Sequence, residues 1–186
     1  MVALLGICGS LRKASINRAL LAAVAEVVPA GSRMALYDGL DLPIFNADLE
    51  EPPGAAQLKA AIAAADGGVF GVPEYNYSIP GGLKNALDWV SRPPGQSPLR
   101  GKPVGIVGAA SGMSGTIRAQ THLRQILLYS DAPCLGQPEV LIPRAKERFD
   151  AEHRLSDPST RILLESFAAA MVAFVVRCGR PGQPAD

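Results

Sequence analysis

The sequence has few cysteines and lacks an apolar run long enough to cross a membrane. Its three cysteines, Cys8, Cys134 and Cys178, are far apart and odd in number, so they form neither a C-x-x-C pair nor a disulfide framework. We expect each to be a small apolar core residue in a reducing cytoplasm. No apolar segment approaches the roughly 20 residues of a membrane span, and the longest, residues 167–176, is predicted to be a buried helix. The start, M-V-A-L-L-G, lacks the basic region of a secretory signal.

The sequence also lacks an excess of charge of either sign. Its formal net charge is +1 and its charged residues are interspersed, which disfavours a nucleic-acid-binding surface or an acidic tail. Apolar residues make up 48% of the 186 positions, enough for one domain with a substantial core. We therefore assign residues 1–178 to a single domain and expect residues 179–186 to be a flexible C-terminal tail.

Short apolar runs alternate with helical patterns along the whole chain. Because the runs are apolar throughout, they predict strands buried on both faces of a parallel sheet that helices cover. Five strands in this alternation predict an α/β fold with three layers, and the flavodoxin-like strand order 2-1-3-4-5 fits the length. The predicted strands are residues 2–8, 34–37, 69–72, 104–108 and 140–142, and the predicted helices are residues 17–28, 55–65, 84–90, 116–128 and 159–177.

The loop after the first predicted strand reads G-S-L-R-K-A-S-I-N and opens a helix. Hydroxyls of Ser10 and Ser15, the amide of Asn17 and free backbone N–H groups predict an anion site, most simply for a phosphate, to which Arg12 and Lys13 add charge. The spacing matches neither G-x-G-x-x-G nor a P-loop, so it suits a single terminal phosphomonoester. The alternative is that Ser15 or Asn17 only caps the helix.

Two further loops are predicted at the same sheet edge, where ligands of such folds bind. The segment P-E-Y-N-Y-S-I-P-G-G follows the third strand and combines stiff prolines and free glycines with polar side chains, which suits a flat polar ligand. A-A-S-G-M-S-G-T follows the fourth strand, and its glycines allow a close backbone approach. The alternatives are a rigid turn facing water and, at Ser114 or Thr116, a helix cap. Together the three loops predict a binding cleft.

Residues 9–17 and the segment P-E-Y-N-Y-S-I-P-G-G-L-K-N-A-L-D-W resemble the NADPH-dependent FMN reductase family of the flavodoxin-like fold. That family includes soluble quinone, chromate and azo reductases. The resemblance continues through residues 99–104 and 122–125 and ends near residue 150, so it covers most of the chain. One departure is Ala14, where many members carry glycine; a positive φ at this position would strain the loop.

The resemblance implies an FMN enzyme that uses NADPH or NADH and assembles as a homodimer or homotetramer with its flavin sites near the interface. It implies neither a metal nor a catalytic side chain, because the flavin carries the hydride. The residues that it implies as FMN contacts fall in the three loops: Ser10, Arg12, Ser15, Ile16 and Asn17 at the phosphate, Pro73, Glu74, Tyr75, Asn76 and Tyr77 around the ribityl chain and ring, and Ser111 and Gly112 on the opposite side.

The function that follows is an FMN-dependent NAD(P)H:acceptor oxidoreductase. NAD(P)H would deliver hydride and leave before a quinone, azo compound, chromate or free flavin enters, so ping-pong kinetics are expected. Backbone N–H groups of residues 73–76 would stabilise negative charge on the ring, while Tyr77 and Arg12 would contact substrates. The alternatives are a flavin-binding electron carrier without NAD(P)H activity and a regulatory protein with an empty fold. Carriers of this fold tend to be acidic, so the neutral charge favours the enzyme.

Other polar residues receive structural predictions. His122 and His153 are far apart without partners, so we expect structural or surface roles. Asp38 could imitate a ribose-binding acid, but without the glycine fingerprint it is predicted to be a turn residue. Lys84 stands in the first turn of a helix and is expected to pair with the acid four residues on. The single tryptophan is predicted to pack in the core or at a subunit boundary.

Overall fold

A computed structural model describes residues 1–179. It contains one five-stranded parallel sheet in the order β2-β1-β3-β4-β5, which confirms the predicted topology. The strands are β1 (Val2–Cys8), β2 (Ser32–Tyr37), β3 (Gly67–Gly71), β4 (Val104–Ala109) and β5 (Val140–Ile142). The helices are α1 (Ile16–Glu26), α2 (Pro53–Ala64), α3 (Gly81–Val90), α4 (Ile117–Tyr129) and α5 (Pro158–Cys178). The expected flexible tail lies outside the described residues except for Gly179.

Helices cover both faces of the sheet, so the core has two halves. One half contains residues of α1 and α5, such as Leu20 and Phe167, and the other contains residues of α2, α3 and α4, such as Leu58 and Leu123. β3 and β4 are buried along their whole length, as their apolar sequences predict, whereas β2 at the edge alternates between partly buried and exposed residues. Because the strands are parallel, the carboxyl ends of β1, β3 and β4 lie at the same edge of the sheet, where the three predicted loops begin.

Gly108 lets the start of α4 lie against the end of β4. A Cβ atom built on Gly108 would lie 1.7 Å from Oγ1 of Thr116 and 2.9 Å from the carbonyl oxygen of Val72. No side chain fits there, because such distances are far below van der Waals contact. This close approach fixes the start of α4 beside the loop that follows β3.

The connection between β2 and α2 is fastened to α3. Asn85 accepts a hydrogen bond from the backbone N–H of Phe45 at 2.7 Å and donates to the carbonyl of Pro43 at 2.9 Å. The indole of Trp89 donates to the same carbonyl at 2.8 Å and is only 3% exposed. The prediction that Trp89 has a packing role is confirmed, and its side chain packs in the core. The predicted pairing of Lys84 is also confirmed, with its Nζ 2.7 Å from the carboxylate of Asp88.

α5 is 21 residues long, and within the described residues it is the helix that could cross a membrane by length and composition alone. The expectation that no apolar stretch reaches this length was therefore wrong. The prediction of a buried helix is confirmed, because α5 buries Leu164, Phe167 and Met171 against the sheet. Packing on the sheet, which composition does not show, is what makes α5 a core helix.

The cysteines occupy three different environments. Cys8 is buried, as expected, and Cys134 is partly buried, where burial raises the pKa of its thiol. Cys178 is exposed at the end of α5, so the expectation that it is a core residue was wrong.

The segment between β5 and α5 has structure that the sequence pattern did not reveal. It contains a 3-10 turn over Ala145–Glu147 and a tight hairpin closed by a bridge between Phe149 and Leu155. Asp157 ends it and caps α5, accepting a hydrogen bond from the N–H of Thr160 at 2.8 Å. Hydrogen bonds from Ser159 and Thr160, together with Arg148, hold the pKa of Asp157 well below its ordinary value.

Candidate active site

A cavity of about 360 Å³ opens where the loops after β1, β3 and β4 meet. Its lining combines hydroxyls, one guanidinium and backbone from all three loops, as the sequence predicts. Asn76 and Tyr77 belong to the second loop but do not line this cavity. The predicted residues that do line it are Ser10, Arg12, Ser15, Ile16, Asn17, Pro73, Glu74, Tyr75, Ser111 and Gly112.

The first loop delivers an anion-binding donor set at the start of α1. Ser15 is the N-cap, and its Oγ accepts from the N–H of Arg18 at 3.4 Å, so Ser15 caps the helix, while its contact with a phosphate stays a prediction. The first N–H groups of a helix have no acceptor within it, so those at the start of α1 are available to an anion. Arg12 is exposed on the wall of the cavity and forms no ion pair with any described residue.

Asn17 has a different role from the predicted anion-binding amide. Its side chain is buried and makes two hydrogen bonds to one residue at the end of β4: Oδ1 accepts from the N–H of Ala109 at 2.8 Å, and Nδ2 donates to the Ala109 carbonyl at 3.0 Å. Asn17 therefore joins α1 to β4 in the manner of a neighbouring strand. The strain expected at Ala14 is absent, because Ala14 does not have a positive φ.

The second loop is a tight hairpin. Tyr75 and Ser78 exchange both backbone hydrogen bonds, at 2.9 and 3.0 Å, around Asn76 and Tyr77. These two central residues have φ of 51° and 65°, the left-handed values that two-residue hairpins of this kind require. The rings of Tyr75 and Tyr77 are exposed at its tip.

Glu74 anchors this hairpin to α4. Its carboxylate is 7% exposed and accepts hydrogen bonds from Nε of Arg118 at 2.7 Å, from the Arg118 N–H at 3.1 Å and from the Ala119 N–H at 3.4 Å. The residue at the N-cap position of α4, Thr116, makes no capping bond with its side chain, so Glu74 caps the helix instead. Burial alone would raise the pKa of Glu74, but the bonds from Arg118 and Ala119 hold it below its ordinary value.

Two further contacts hold the hairpin on α4. The guanidinium of Arg118 lies 3.9 Å from the centre of the Tyr77 ring, within the range of a cation–π interaction. Nδ1 of His122 lies 3.0 Å from Oγ of Ser78, so the exposed histidine has the structural role that was predicted for it. Arg118 thus lies between the Glu74 carboxylate and the Tyr77 ring.

The third loop is supported from β5. The carbonyls of Ala110 and Gly112 accept hydrogen bonds from the N–H groups of Ala145 and Arg144, at 2.9 and 3.0 Å. Ser114 accepts from the N–H of Thr116 at 3.4 Å. The backbone of this side of the cavity is therefore held in place without the help of a ligand.

Residues 2–147 match the sequence model of the NADPH-dependent FMN reductase family. This chain belongs to that family. The reductase is 45% identical to an NAD(P)H-dependent FMN reductase of Pseudomonas aeruginosa, over 95% of this chain and 96% of the relative. It is 41% identical to a 2-hydroxy-1,4-benzoquinone reductase of Burkholderia sp, over 91% of this chain and 93% of the relative.

A solved structure agrees with these relatives. The flavoenzyme FerB of Paracoccus denitrificans, an NAD(P)H:(acceptor) oxidoreductase, superposes with a TM-score of 0.88 at 32% identity, over 96% of this chain and 100% of FerB. The predicted family, fold and enzyme class are confirmed. The protein is an NAD(P)H-dependent oxidoreductase with FMN as its cofactor.

The donor set of the reductase fits the phosphate end of FMN. A phosphomonoester needs several N–H or O–H donors and a cation, and the start of α1 offers the hydroxyls of Ser10 and Ser15, helix N–H groups and the unpaired Arg12. In the part of the chain that the structure describes, no cluster of histidine, cysteine and carboxylate residues could hold a metal ion.

Asp38 is not a free ribose-binding acid. Its carboxylate forms a two-pronged ion pair with Arg18, and hydrogen bonds from Arg18 hold its pKa below the ordinary value. Sequence reasoning also missed Arg118, whose contact with Glu74 spans 44 positions. The sequence carried no signal for this contact, because Thr116 before the helix is itself a capping residue type, and only the structure shows that its side chain makes no capping bond.

Proposed function

We propose that the reductase oxidises NADH or NADPH and reduces a small planar quinone at one shared pocket by a ping-pong route. Bound FMN supplies the hydride acceptor of the first half-reaction and the donor of the second. The observation that carries the proposal is the cavity of about 360 Å³, whose polar walls come from the three loops that the family resemblance assigns to FMN. Azo compounds, chromate and free flavin are further acceptors that such an open site could serve.

We propose that the ten predicted cofactor residues that line the cavity surround FMN, with the side chains of Asn17 and Glu74 acting on the protein rather than on the ligand. Asn76 and Tyr77 form the tip of the hairpin outside this lining, so their proposed contacts are with the substrate side of the ring. Within the second loop, Pro73 has no N–H, and the N–H of Tyr75 is bound to Ser78. The N–H group of Glu74, a residue that lines the cavity, donates to no described residue. We assign to this group the predicted stabilisation of negative charge at the ring.

The rim of the pocket suits an aromatic acceptor. Tyr75 and Tyr77 expose their rings, and Arg118 stands on the face of Tyr77 with 45% of its side chain exposed. Rings favour stacked planar molecules, whereas the guanidinium of Arg118 is already paired with Glu74 and holds the Tyr77 ring in place. Relatives are named quinone reductases, including one from Escherichia coli at 45% identity over 72% of this chain.

The experiment begins with the purified protein and its bound cofactor. We expect a yellow protein whose flavin absorbance is bleached by NADH or NADPH without oxygen and restored by a benzoquinone. Initial rates at varied donor and quinone concentrations should give parallel double-reciprocal lines, and intersecting lines would exclude the ping-pong route. A protein that binds FMN but is not bleached would be the flavin-binding electron carrier of the alternative prediction. We further propose that the protein is cytoplasmic and that it assembles as a homodimer or homotetramer. Light scattering would test the oligomeric state.

A further inference from the structure

A second cavity, of about 380 Å³, adjoins the FMN-binding cavity. The two share Arg12, Ile16 and Ser111 in their walls. The opposite wall comes from the segment between β5 and α5, through Lys146 of the 3-10 turn and His153 of the hairpin. A ligand long enough to leave the FMN site in this direction enters the second cavity directly.

The charges around the second cavity are positive and not neutralised. Neither Arg12 nor Lys146 forms an ion pair with any residue in the described part of the chain, and both are exposed. Asp150 is the one acid in the wall, and it is bound to Arg154 at 2.9 Å. Because the Asp150 carboxylate is engaged, the two free cations remain available to a ligand phosphate.

The floor of the cavity is apolar. Phe149 is 6% exposed and Ala145 is 1% exposed, and both line the cavity beside Ile16. An apolar floor below free cations suits a molecule that combines a flat ring with phosphate groups, as a nucleotide does. An inorganic anion would use the cations but not the floor.

We propose that this second cavity binds the adenosine end of NADPH and that Lys146 contacts its 2′-phosphate. The inference rests on the proposed function, in which NAD(P)H reaches the FMN site, and it adds the residue that selects between the two donors. NADPH and NADH differ only in the 2′-phosphate. A cation at that phosphate therefore changes the affinity for NADPH and leaves that for NADH unaltered.

A third cavity, of about 450 Å³, is the rival location. Its wall contains Arg12, Lys13 and Arg18, but Arg18 is bound to Asp38, and Asp41 adds a second carboxylate. Two carboxylates lie among its three cations, and one of those cations, Arg18, is already paired with a carboxylate. A phosphate is therefore attracted less strongly to this cavity than to the second cavity. Lys13 therefore provides a matched control, since it is an exposed lysine on the other side of Arg12.

The test measures binding to the FMN-loaded protein by calorimetry, with 2′,5′-ADP and 5′-AMP as probes. We expect Lys146→Gln to weaken 2′,5′-ADP about three- to tenfold, the effect of one partly exposed lysine–phosphate contact. Binding of 5′-AMP should be unchanged, and Lys146→Arg should retain most of the affinity. In steady-state assays the KM for NADPH should rise by a similar factor, while the kinetics with NADH and the affinity for FMN stay as in the wild type.

Three results would overturn the inference. Equal weakening of both probes would place Lys146 at a phosphate that the two nucleotides share. A selective loss in Lys13→Gln instead of Lys146→Gln would place the 2′-phosphate in the third cavity. If neither variant weakened the binding of 2′,5′-ADP, neither cavity would hold the 2′-phosphate. Reduction of the bound FMN by NADH tests the proposed function separately, because it does not depend on Lys146.

Discussion

Glu74 and Arg118 join the hairpin beside the FMN site to the first turn of α4. Nε of Arg118 donates to the Glu74 carboxylate at 2.7 Å, and the same guanidinium covers the ring of Tyr77. One ion pair thus fixes both the helix start and the aromatic tip of the hairpin. Glu74 is a positioning residue, because its carboxylate binds α4.

Substituting Glu74 should therefore loosen the hairpin without removing a ligand contact of the carboxylate. We expect Glu74→Ala to lower the free energy of unfolding by about 1–2 kcal/mol, as for a lost helix cap, and to weaken FMN binding. Urea denaturation and FMN titration check this. Asp88→Asn is the control, since it also removes the carboxylate of an ion pair, here with Lys84, but lies on the exposed face of α3; it should leave FMN affinity unchanged. Equal FMN loss in both variants would contradict the positioning role.

Asn17 and Ser15 should separate stability from cofactor binding. Asn17→Ala removes two buried hydrogen bonds to Ala109, so we expect the FMN-free protein to lose about 2–3 kcal/mol of stability. Ser15→Ala removes one cap and one hydroxyl at the anion site, so it should cost about 1 kcal/mol and weaken FMN several-fold. Chemical denaturation without FMN and fluorescence titration with FMN measure the two effects. Unchanged FMN affinity in Ser15→Ala would show that Ser15 is only a cap.

Gly108 and Gly112 should respond differently to alanine. Gly108→Ala places a methyl group 1.7 Å from Thr116, so we expect a loss of about 3 kcal/mol and a displaced start of α4. At Gly112 nothing lies within 4 Å of a new Cβ and φ is not positive, so Gly112→Ala should fold normally. Thermal melting compares the two. A stable Gly108→Ala protein would show that β4 and α4 can move apart.

Asp157 should make part of the stability depend on pH. Its pKa is lowered in the folded protein by Ser159, Thr160 and Arg148, so its contribution is complete above the unfolded value of about 3.9 and is lost as pH falls through the folded value. We expect Asp157→Ala to melt at a lower temperature than the wild type between pH 5 and pH 7, with a gap that narrows below about pH 4. If the difference in melting temperature between the two proteins did not change with pH, ionisation of Asp157 would contribute nothing to the stability.

The sequence predicts the sheet well because its central strands are short, apolar and separated by helices of ordinary length. Strand order and the three loops at one edge follow from that pattern together with the rules of parallel sheets. The direction of the Glu74 and Asn17 side chains does not follow, since the partners of these residues are 44 and 92 positions away in the chain. The hairpin near Phe149 has no periodic sequence pattern, so the sequence did not predict the wall of the second cavity either.

Arg12 lines all three cavities at this edge of the sheet. For protein engineering, this makes Arg12 a poor position at which to change the preference for NADH or NADPH, because any replacement also alters the cavity that we propose for FMN. Of these three cavities, Lys13 lines the third and Lys146 the second. A library that varies these two lysines while keeping Arg12 would explore donor choice while retaining the flavin.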